Sequence, residues 1–373
     1  MFDKLHRMGE AAGKPVLQTP LLALHRSRGA TTGTWFGCAL PDRFGSWIEE
    51  YRAARETAAL IDKNYRAYLR FTGPDRVRYL NAILTNNIKD LPVGNGVVSL
   101  MLTPQGRIQA EIETYAMPES LFCLSFAMIR ETLVPALDKY IIMDDVALLD
   151  DTENWGTLGL EGPLAAAITR KLTGVDLAGV EELSFRQLEL EGIFCVMGKR
   201  SPGGMAGAEF RAGRGDLEAL WNILQRAVAA SGGQAMGWQA LSALRLEQGI
   251  PWFGYDFGEK QIPHEAGLED SHISFSKGCY TGQEIVERVR SRGQVNRVRV
   301  LLKMDGQEPP PSGAPLLADG HDSGYITRSA FSPALQSAIA MGYLRRENSA
   351  PASEVSCAAG KARVISPPIH TSS

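Results

Sequence analysis

One pattern occurs twice in this chain and limits what it can fold into. Tyr68-Leu-Arg-Phe-Thr-Gly-Pro-Asp75 leads into a helical stretch over 77–84, and Leu158-Gly-Leu-Glu-Gly-Pro-Leu164 leads into another over 164–172. In both copies a β-rich segment stops at Gly-Pro, where proline pre-sets φ for a first helical turn. The first copy is followed by strand signals over 97–102, 108–115 and 121–126 and a helix over 129–140. The second is followed by a strand signal over 187–197, a glycine-rich turn at Gly203 and Gly204, and a helix over 217–230. A further amphipathic helix is expected over 44–60, where Phe44, Trp47, Ile48, Tyr51, Ala54 and Ala58 recur at helical spacing. Two related α+β units, about 44–150 and 151–296, account for the repetition economically.

Beyond Arg297 the texture changes. Short β-like runs over 298–304, 323–327, 338–344 and 361–365 alternate with Gly/Pro/Ser turns, which reads as a small all-β barrel or sandwich over 297–373. Pro309, Pro310 and Pro311 cannot donate to a ladder, so they belong to a connection.

With 373 residues, 44% of them hydrophobic, the chain has material for more than one core and needs no disulfide or metal staple. A net charge of −3 disfavours wrapping of nucleic acid over the whole surface. The five cysteines are scattered without a CxxC pair, and Cys123 and Cys195 sit in apolar runs as small core residues. No long apolar run and no secretory h-region are visible, so no membrane partner and a cytoplasmic location are expected.

The most informative segment is Ser276-Lys-Gly-Cys-Tyr-Thr-Gly-Gln-Glu-Ile-Val-Glu-Arg-Val289. Thr281 and Glu284 fit a capping box for a helix with Ile285, Val286 and Val289 as its apolar stripe. Cys279 would then precede a helix N-terminus, where free amides, the helix dipole and nearby Lys277 favour a thiolate. A buried structural cysteine is the alternative. Arg288, Arg290, Arg292, Arg297 and Arg299 form a basic run, either a solvated face or a landing strip for a polyanion such as RNA or the glutamate tail of folate. His264 and His272 stand eight apart without a third partner, so no metal site is expected.

Lys277-Gly-Cys-Tyr-Thr-Gly-Gln-Glu284 resembles the K-G-C-Y-x-G-Q-E signature of the YgfZ-type folate-binding proteins, which are linked to iron–sulfur cluster maintenance and are paralogues of the glycine-cleavage T-protein, a tetrahydrofolate-dependent aminomethyltransferase. Thr19-Pro-Leu-Leu-Ala-Leu-His25 and Ser46-Trp-Ile-Glu-Glu50 resemble the T-protein N-terminus. Leu84-Thr-Asn-Asn-Ile88 resembles its L-T-N-D segment, Ala243-Leu-Arg-Leu-Glu-Gln-Gly-Ile-Pro251 its L-R-L-E-A-G-x-P stretch, and Ser332-Pro-Ala-Leu335 its S-P-T-L. The resemblance covers residues 19–296 and the C-terminal region. It implies a cloverleaf of two α+β units and a β-barrel around a central folate channel. It further implies tetrahydrofolate or another reduced folate as cofactor, and iron–sulfur client proteins or their assembly machinery as partners; tRNA is a more remote candidate.

The resemblance also assigns residues. The T-protein's G-G-I-x-D-D-L-x-V-Y is matched by Gly106-Arg-Ile-Gln-Ala-Glu-Ile-Glu-Thr-Tyr115, which puts Glu111 at the catalytic aspartate and keeps Tyr115. Glu111 instead faces solvent if its strand is simply exposed on that side. Glu209 corresponds to the glutamate that accepts two parallel N–H bonds from a pterin, although Pro202, Met205 and Leu241 depart from the surrounding pattern. Arg245, Asn86 and Tyr280 complete the implied cofactor-binding set, and Cys279, Lys277 and Glu111 the implied catalytic one. Two functions follow: a tetrahydrofolate-binding accessory factor for iron–sulfur assembly or repair with Cys279 as its reactive centre, or a tetrahydrofolate-dependent C1 transferase using Glu111.

Overall fold

Residues 16–202, 205–293 and 295–369 are described in this computed structural model; the Gly203-Gly204 turn, the first 15 residues and the Arg292 side chain lie outside the described residues. The duplicated pattern produces duplicated geometry. Strand Arg66–Thr72 ends at Gly73 and helix Arg76–Ile83 follows; strand Trp155–Glu161 ends at Gly162 and helix Ala165–Thr173 follows. Both glycines have positive φ, +93° and +127°. A Cβ on Gly73 would stand 2.2 Å from the Asp145 carbonyl oxygen, and one on Gly162 2.7 Å from that of Thr57. Only glycine meets both demands.

The first sheet runs, edge to edge, Gly96–Leu102, Ile108–Ala116, Leu121–Phe126, Arg66–Thr72 and Ala147–Asp150. The second repeats that order with Phe185–Leu190, Ile193–Lys199, Gly207–Gly213, Trp155–Glu161 and Ala59–Asp62, and adds Gln234–Ala235. The strands that precede the two Gly-Pro strands are exchanged. Ala59–Asp62 leads in sequence into the first sheet but pairs with Trp155–Glu161 of the second, while Ala147–Asp150 leads into the second and pairs with Arg66–Thr72 of the first. The chain crosses between sheets at residues 63–65, and the candidate site lies there.

Several expected boundaries shift. The helix read over 44–60 is Trp47–Glu56, because Leu60 and its neighbours belong to the buried strand Ala59–Asp62. The strand read over 187–197 is a hairpin, broken at Glu191 and Gly192, whose φ values of +49° and +84° make a tight two-residue turn. Helix Leu217–Ala229 buries Leu217, Leu220, Trp221, Leu224 and Val228 along one face, and each such side chain contributes about 1.5–3 kcal/mol.

The C-terminal region is a closed six-stranded barrel, ordered Arg297–Met304, Ser337–Arg345, His321–Ser332, Pro315–Ala318, Glu354–Cys357 and Gly360–Ile365, the last pairing with the first. Pro309, Pro310 and Pro311 lie in the connection before it turns to Pro315–Ala318. Arg328 fastens the barrel to the rest: its Nη2 donates to Asp256 Oδ2 (2.8 Å) and the Ile250 carbonyl (3.0 Å), and its guanidinium lies 4.0 Å from the Trp252 ring. Among the described residues no helix is long and apolar enough to cross a membrane.

Candidate active site

The site is built outward from Asp62. This buried carboxylate accepts from Thr19 Oγ1 (2.6 Å), bonds His25 Nε2 (2.8 Å) and accepts from the Asn64 backbone N–H (2.9 Å). Its carbonyl accepts from Trp238 Nε1 (2.9 Å). The segment Thr19–His25 thus fixes the turn that carries Lys63, Tyr65 and Arg66 into the crossover between sheets.

Those side chains face a cavity of about 320 Å³. One wall is aromatic: Phe36 stacks on Tyr65 at 4.6 Å, and Trp238 and Trp252 meet Phe36 edge-on at 5.5 and 5.3 Å. Phe36 holds a left-handed backbone (φ +52°), unusual for a bulky residue, and its N–H donates to Tyr255 Oη at 3.1 Å. Backbone strain is thus placed at the cavity wall and held there by its neighbours.

The opposite wall is a lattice of buried charges. Lys63 Nζ lies 2.8 Å from Glu161 Oε1 and 3.0 Å from Glu209 Oε1; Arg245 pairs with Glu161 Oε2. Arg66 bridges Glu113 (3.3 Å) and Glu209 (3.2 Å), Arg200 reaches Glu113 (3.0 Å) and Arg211 reaches Glu209 Oε2 (2.9 Å). Tyr115 Oη accepts from Arg211 (2.8 Å) and donates to Glu113 Oε2 (2.9 Å). Burial alone would push these carboxyls up, but the adjoining cations prevail and hold Glu113 and Glu161 down to about 2 and Glu209 well below the ordinary range. Lys63, Arg66, Arg200, Arg211 and Arg245 face Glu113, Glu161 and Glu209, and Arg200 also meets Glu182 (3.5 Å), leaving one positive charge in excess. Arg66 Nε, buried, has no hydrogen-bond partner. The lattice is therefore suited to a ligand that brings acceptor atoms or negative charge.

Glu111 does not face bulk solvent on a simple exposed strand. It lines the cavity, and its Oε1 lies 2.9 Å from His272 Nε2, whose Nδ1 lies 2.7 Å from Ser271 Oγ. Glu209 and Arg245 also line the cavity, and Arg245 is buried in its ion pair with Glu161. Tyr115 stands behind Glu113 and borders a separate, largely apolar cavity of about 330 Å³ with Phe122, Trp155 and Phe185.

The remaining expected residues sit elsewhere. Lys277 Nζ does not turn toward Cys279; it donates to the carbonyls of Asn81, Leu84 and Asn86 and so ties down the end of helix Arg76–Ile83. Asn86 Nδ2 donates to the Val98 carbonyl (3.0 Å), a local structural bond. Tyr280 is buried in the main core, its hydroxyl unpaired, away from the cavity lining. The capping box does not form. Gly282, at φ +83°, caps the helix that begins at Gln283, and Glu284 pairs with Arg288 instead. A Cβ at 282 would stand 2.6 Å from the Thr103 carbonyl oxygen, so the close approach selects glycine and delays the helix. Cys279 is exposed, outside the cavity lining and four positions ahead of Gln283, where the helix begins. The basic run is dispersed: Arg290 covers Phe275 at 4.1 Å, Arg297 lies 3.6 Å from Asp322, and Arg299 turns inward to the carbonyls of Ala266 and Gly249.

Lys63, Arg66, Glu113, Glu161, Arg200, Arg211 and His272 escaped the sequence reading. Glu209-Phe-Arg211 and Glu111-Ile-Glu113 did carry a signal, since alternate strand residues share a face.

Two duplicated α+β units and a barrel around a charged, aromatic-walled cavity define a three-part protein with one central site. The chain belongs to the glycine cleavage T-protein family: the GCVT N-terminal domain matches residues 21–277 and the glycine cleavage T-protein C-terminal barrel domain residues 297–370. Among its relatives, an aminomethyltransferase of Streptomyces coelicolor is 30% identical over 343 residues, covering 90% of this chain and 91% of its own. One of Streptomyces avermitilis is 29% identical over 337 residues, covering 89% and 90%. The fold matches that of the glycine cleavage system aminomethyltransferase T from Bartonella henselae with a TM-score of 0.85 at 22% identity, over 95% of this chain and 98% of that one. Proteins of this family use tetrahydrofolate as substrate or cofactor.

Proposed function

We propose that this chain is a tetrahydrofolate-dependent one-carbon transferase of the aminomethyltransferase type. The observation that carries the reading is the Glu111 carboxylate, turned into the central cavity at the position that the motif gives to the catalytic aspartate. The residues present fit the cofactor. Phe36, Tyr65, Phe126, Trp238 and Trp252 offer faces for a flat ring, and the unpaired Arg66 Nε offers a donor to a ring carbonyl. Glu209 would accept pterin N–H groups, at the cost of loosening its bonds to Lys63, Arg66 or Arg211. Tetrahydrofolate, when bound, supplies the nitrogens that take up the carbon unit. Glu111 takes the proton that such a nitrogen gives up, and the enclosing aromatic wall keeps water from the carbon.

The test is tetrahydrofolate-dependent release of ammonia or formaldehyde from an aminomethyl donor, abolished by Glu111→Ala. Persistence of that release in the variant would count against the reading, as would its absence from the wild type.

Exposure of Cys279 within Lys277-Gly-Cys-Tyr-Thr-Gly-Gln-Glu284 favours a second reading: a YgfZ-type folate-binding factor that serves iron–sulfur proteins through this thiol. Under it, Cys279→Ser would keep folate binding but fail to complement an iron–sulfur enzyme defect. The names of the relatives favour the transferase.

A further inference from the structure

The imidazole of His272 joins a cavity carboxylate to a surface hydroxyl. Glu111 Oε1 lies 2.9 Å from His272 Nε2, and His272 Nδ1 lies 2.7 Å from Ser271 Oγ. All three line the same cavity: the Glu111 side chain is 21% exposed, that of His272 only 9%, and Ser271 is exposed at the rim. Each partner comes from a different part of the scaffold. Glu111 stands on the interior strand Ile108–Ala116, held there by the Ser125 hydroxyl, which donates to its carbonyl (2.9 Å). His272 ends the short helix Glu269–His272, and its carbonyl accepts from Thr85 Oγ1 (2.6 Å). Both the strand and the helix end are thus fixed independently of the imidazole contact, so the ring is preorganised between its two partners.

We propose that Glu111, His272 and Ser271 form a proton relay that connects the cavity to solvent, with His272 as the carrier. This rests on the one-carbon transferase reading. A nitrogen that bonds to a new carbon loses a proton; the electron pair of the donor's broken bond leaves with the departing group, which takes a proton from water. The nitrogen's proton goes to Glu111. Glu111 O–H then gives it to His272 Nε2, the imidazolium gives its Nδ1–H to Ser271 Oγ, and the serine hydroxyl gives its own proton to water. Glu111 is reset and one proton has moved outward; the ring, now carrying its hydrogen on Nε2, returns to the Nδ1–H form by proton exchange with water at the rim before the next turnover, and nothing is oxidised or reduced.

The experiment compares the wild type with His272→Gln, His272→Ala, Glu111→Gln and Ser271→Ala. In the ligand-free protein, ¹⁵N resonances of the His272 ring should respond selectively: Glu111→Gln should move the Nε2 signal and Ser271→Ala the Nδ1 signal. Calorimetric tetrahydrofolate affinity should stay within about threefold in His272→Gln, while transfer falls about 10²-fold, the scale of general acid–base catalysis. Imidazole should restore transfer to His272→Ala. Ring signals blind to Glu111→Gln, or a His272→Gln variant of full rate, would overturn the relay alone. A wild type that binds tetrahydrofolate but transfers nothing would overturn the transferase reading as well.

Discussion

Lys63 Nζ stands 3.0 Å from Glu209 Oε1, although Lys63 belongs to the crossover out of one strand and Glu209 to another some 146 residues away in sequence. The same ammonium also reaches Glu161. It is the cation common to the Arg245–Glu161 pair and the Glu209 cluster, and both are almost wholly buried.

Lys63→Met should therefore destabilise the protein by about 3–5 kcal/mol, because it strips compensation from two buried carboxylates. Urea unfolding checks this. A loss below about 1 kcal/mol would mean that Arg66, Arg211 and Arg245 suffice.

The lattice also sets an acid limit. Glu113 and Glu161 are held down to about 2 in the fold, whereas an unfolded glutamate titrates near about 4.3. A depressed folded value stabilises above the unfolded one, so stability should be full above about pH 5 and should drain away as pH falls toward about 2. Glu161 alone accounts for on the order of 3 kcal/mol of that loss. Denaturation midpoints measured between those pH values should slope steeply, and less so in Glu161→Gln.

Glu209→Gln turns one acceptor into a donor that faces cations. Tetrahydrofolate affinity should weaken by about 1–3 kcal/mol, read by calorimetry on folded protein. An unchanged dissociation constant would show that the ring is held by other atoms.

The thiols should separate by reactivity. Burial pushes those of Cys38, Cys123 and Cys195 up to about 12, whereas Cys279 is exposed. A maleimide pulse on native protein, followed by peptide mass spectrometry, should label Cys279 first and leave those three untouched. Cys279→Ser should alter stability by less than about 0.5 kcal/mol.

Lys277→Met leaves three carbonyls near the end of helix Arg76–Ile83 without their donor, and should cost about 1–3 kcal/mol. Cys279→Ser serves as the control for this segment. Equal stability of the two variants would show that water replaces the ammonium.

The repeated Gly-Pro strand ends and the terminal barrel were legible because they rest on local chemistry: a proline's fixed φ, a glycine at positive φ, alternation along strands. The charge lattice was not. Glu161 sits in Leu158-Gly-Leu-Glu-Gly-Pro163, the very segment that revealed the repeat, yet a charge at a strand end reads as solvent-facing until its partners are known. Those partners, Lys63 and Arg245, arrive from positions 98 and 84 residues away, and no periodicity records such a meeting. The motif pointed to Glu111 but not to His272, whose contact with it forms only when Glu269–His272 folds back over the sheet. The surroundings of Cys279 show the converse: its neighbours in sequence promise a capped, charged helix start, while Gly282 moves that start and Lys277 spends its charge on carbonyls.

The traded strands 59–62 and 147–150 carry a corollary for how such a molecule could arise. A half-length precursor could complete both sheets only by interlocking with a twin, each copy lending its leading strand to the other. Fusion of two such genes would have inherited the entwined topology ready-made, with the central cavity at the point where the partners clasped. Neither lobe of the present chain can be excised whole, and a nick at residue 150 should give fragments that recover their shape together and not apart.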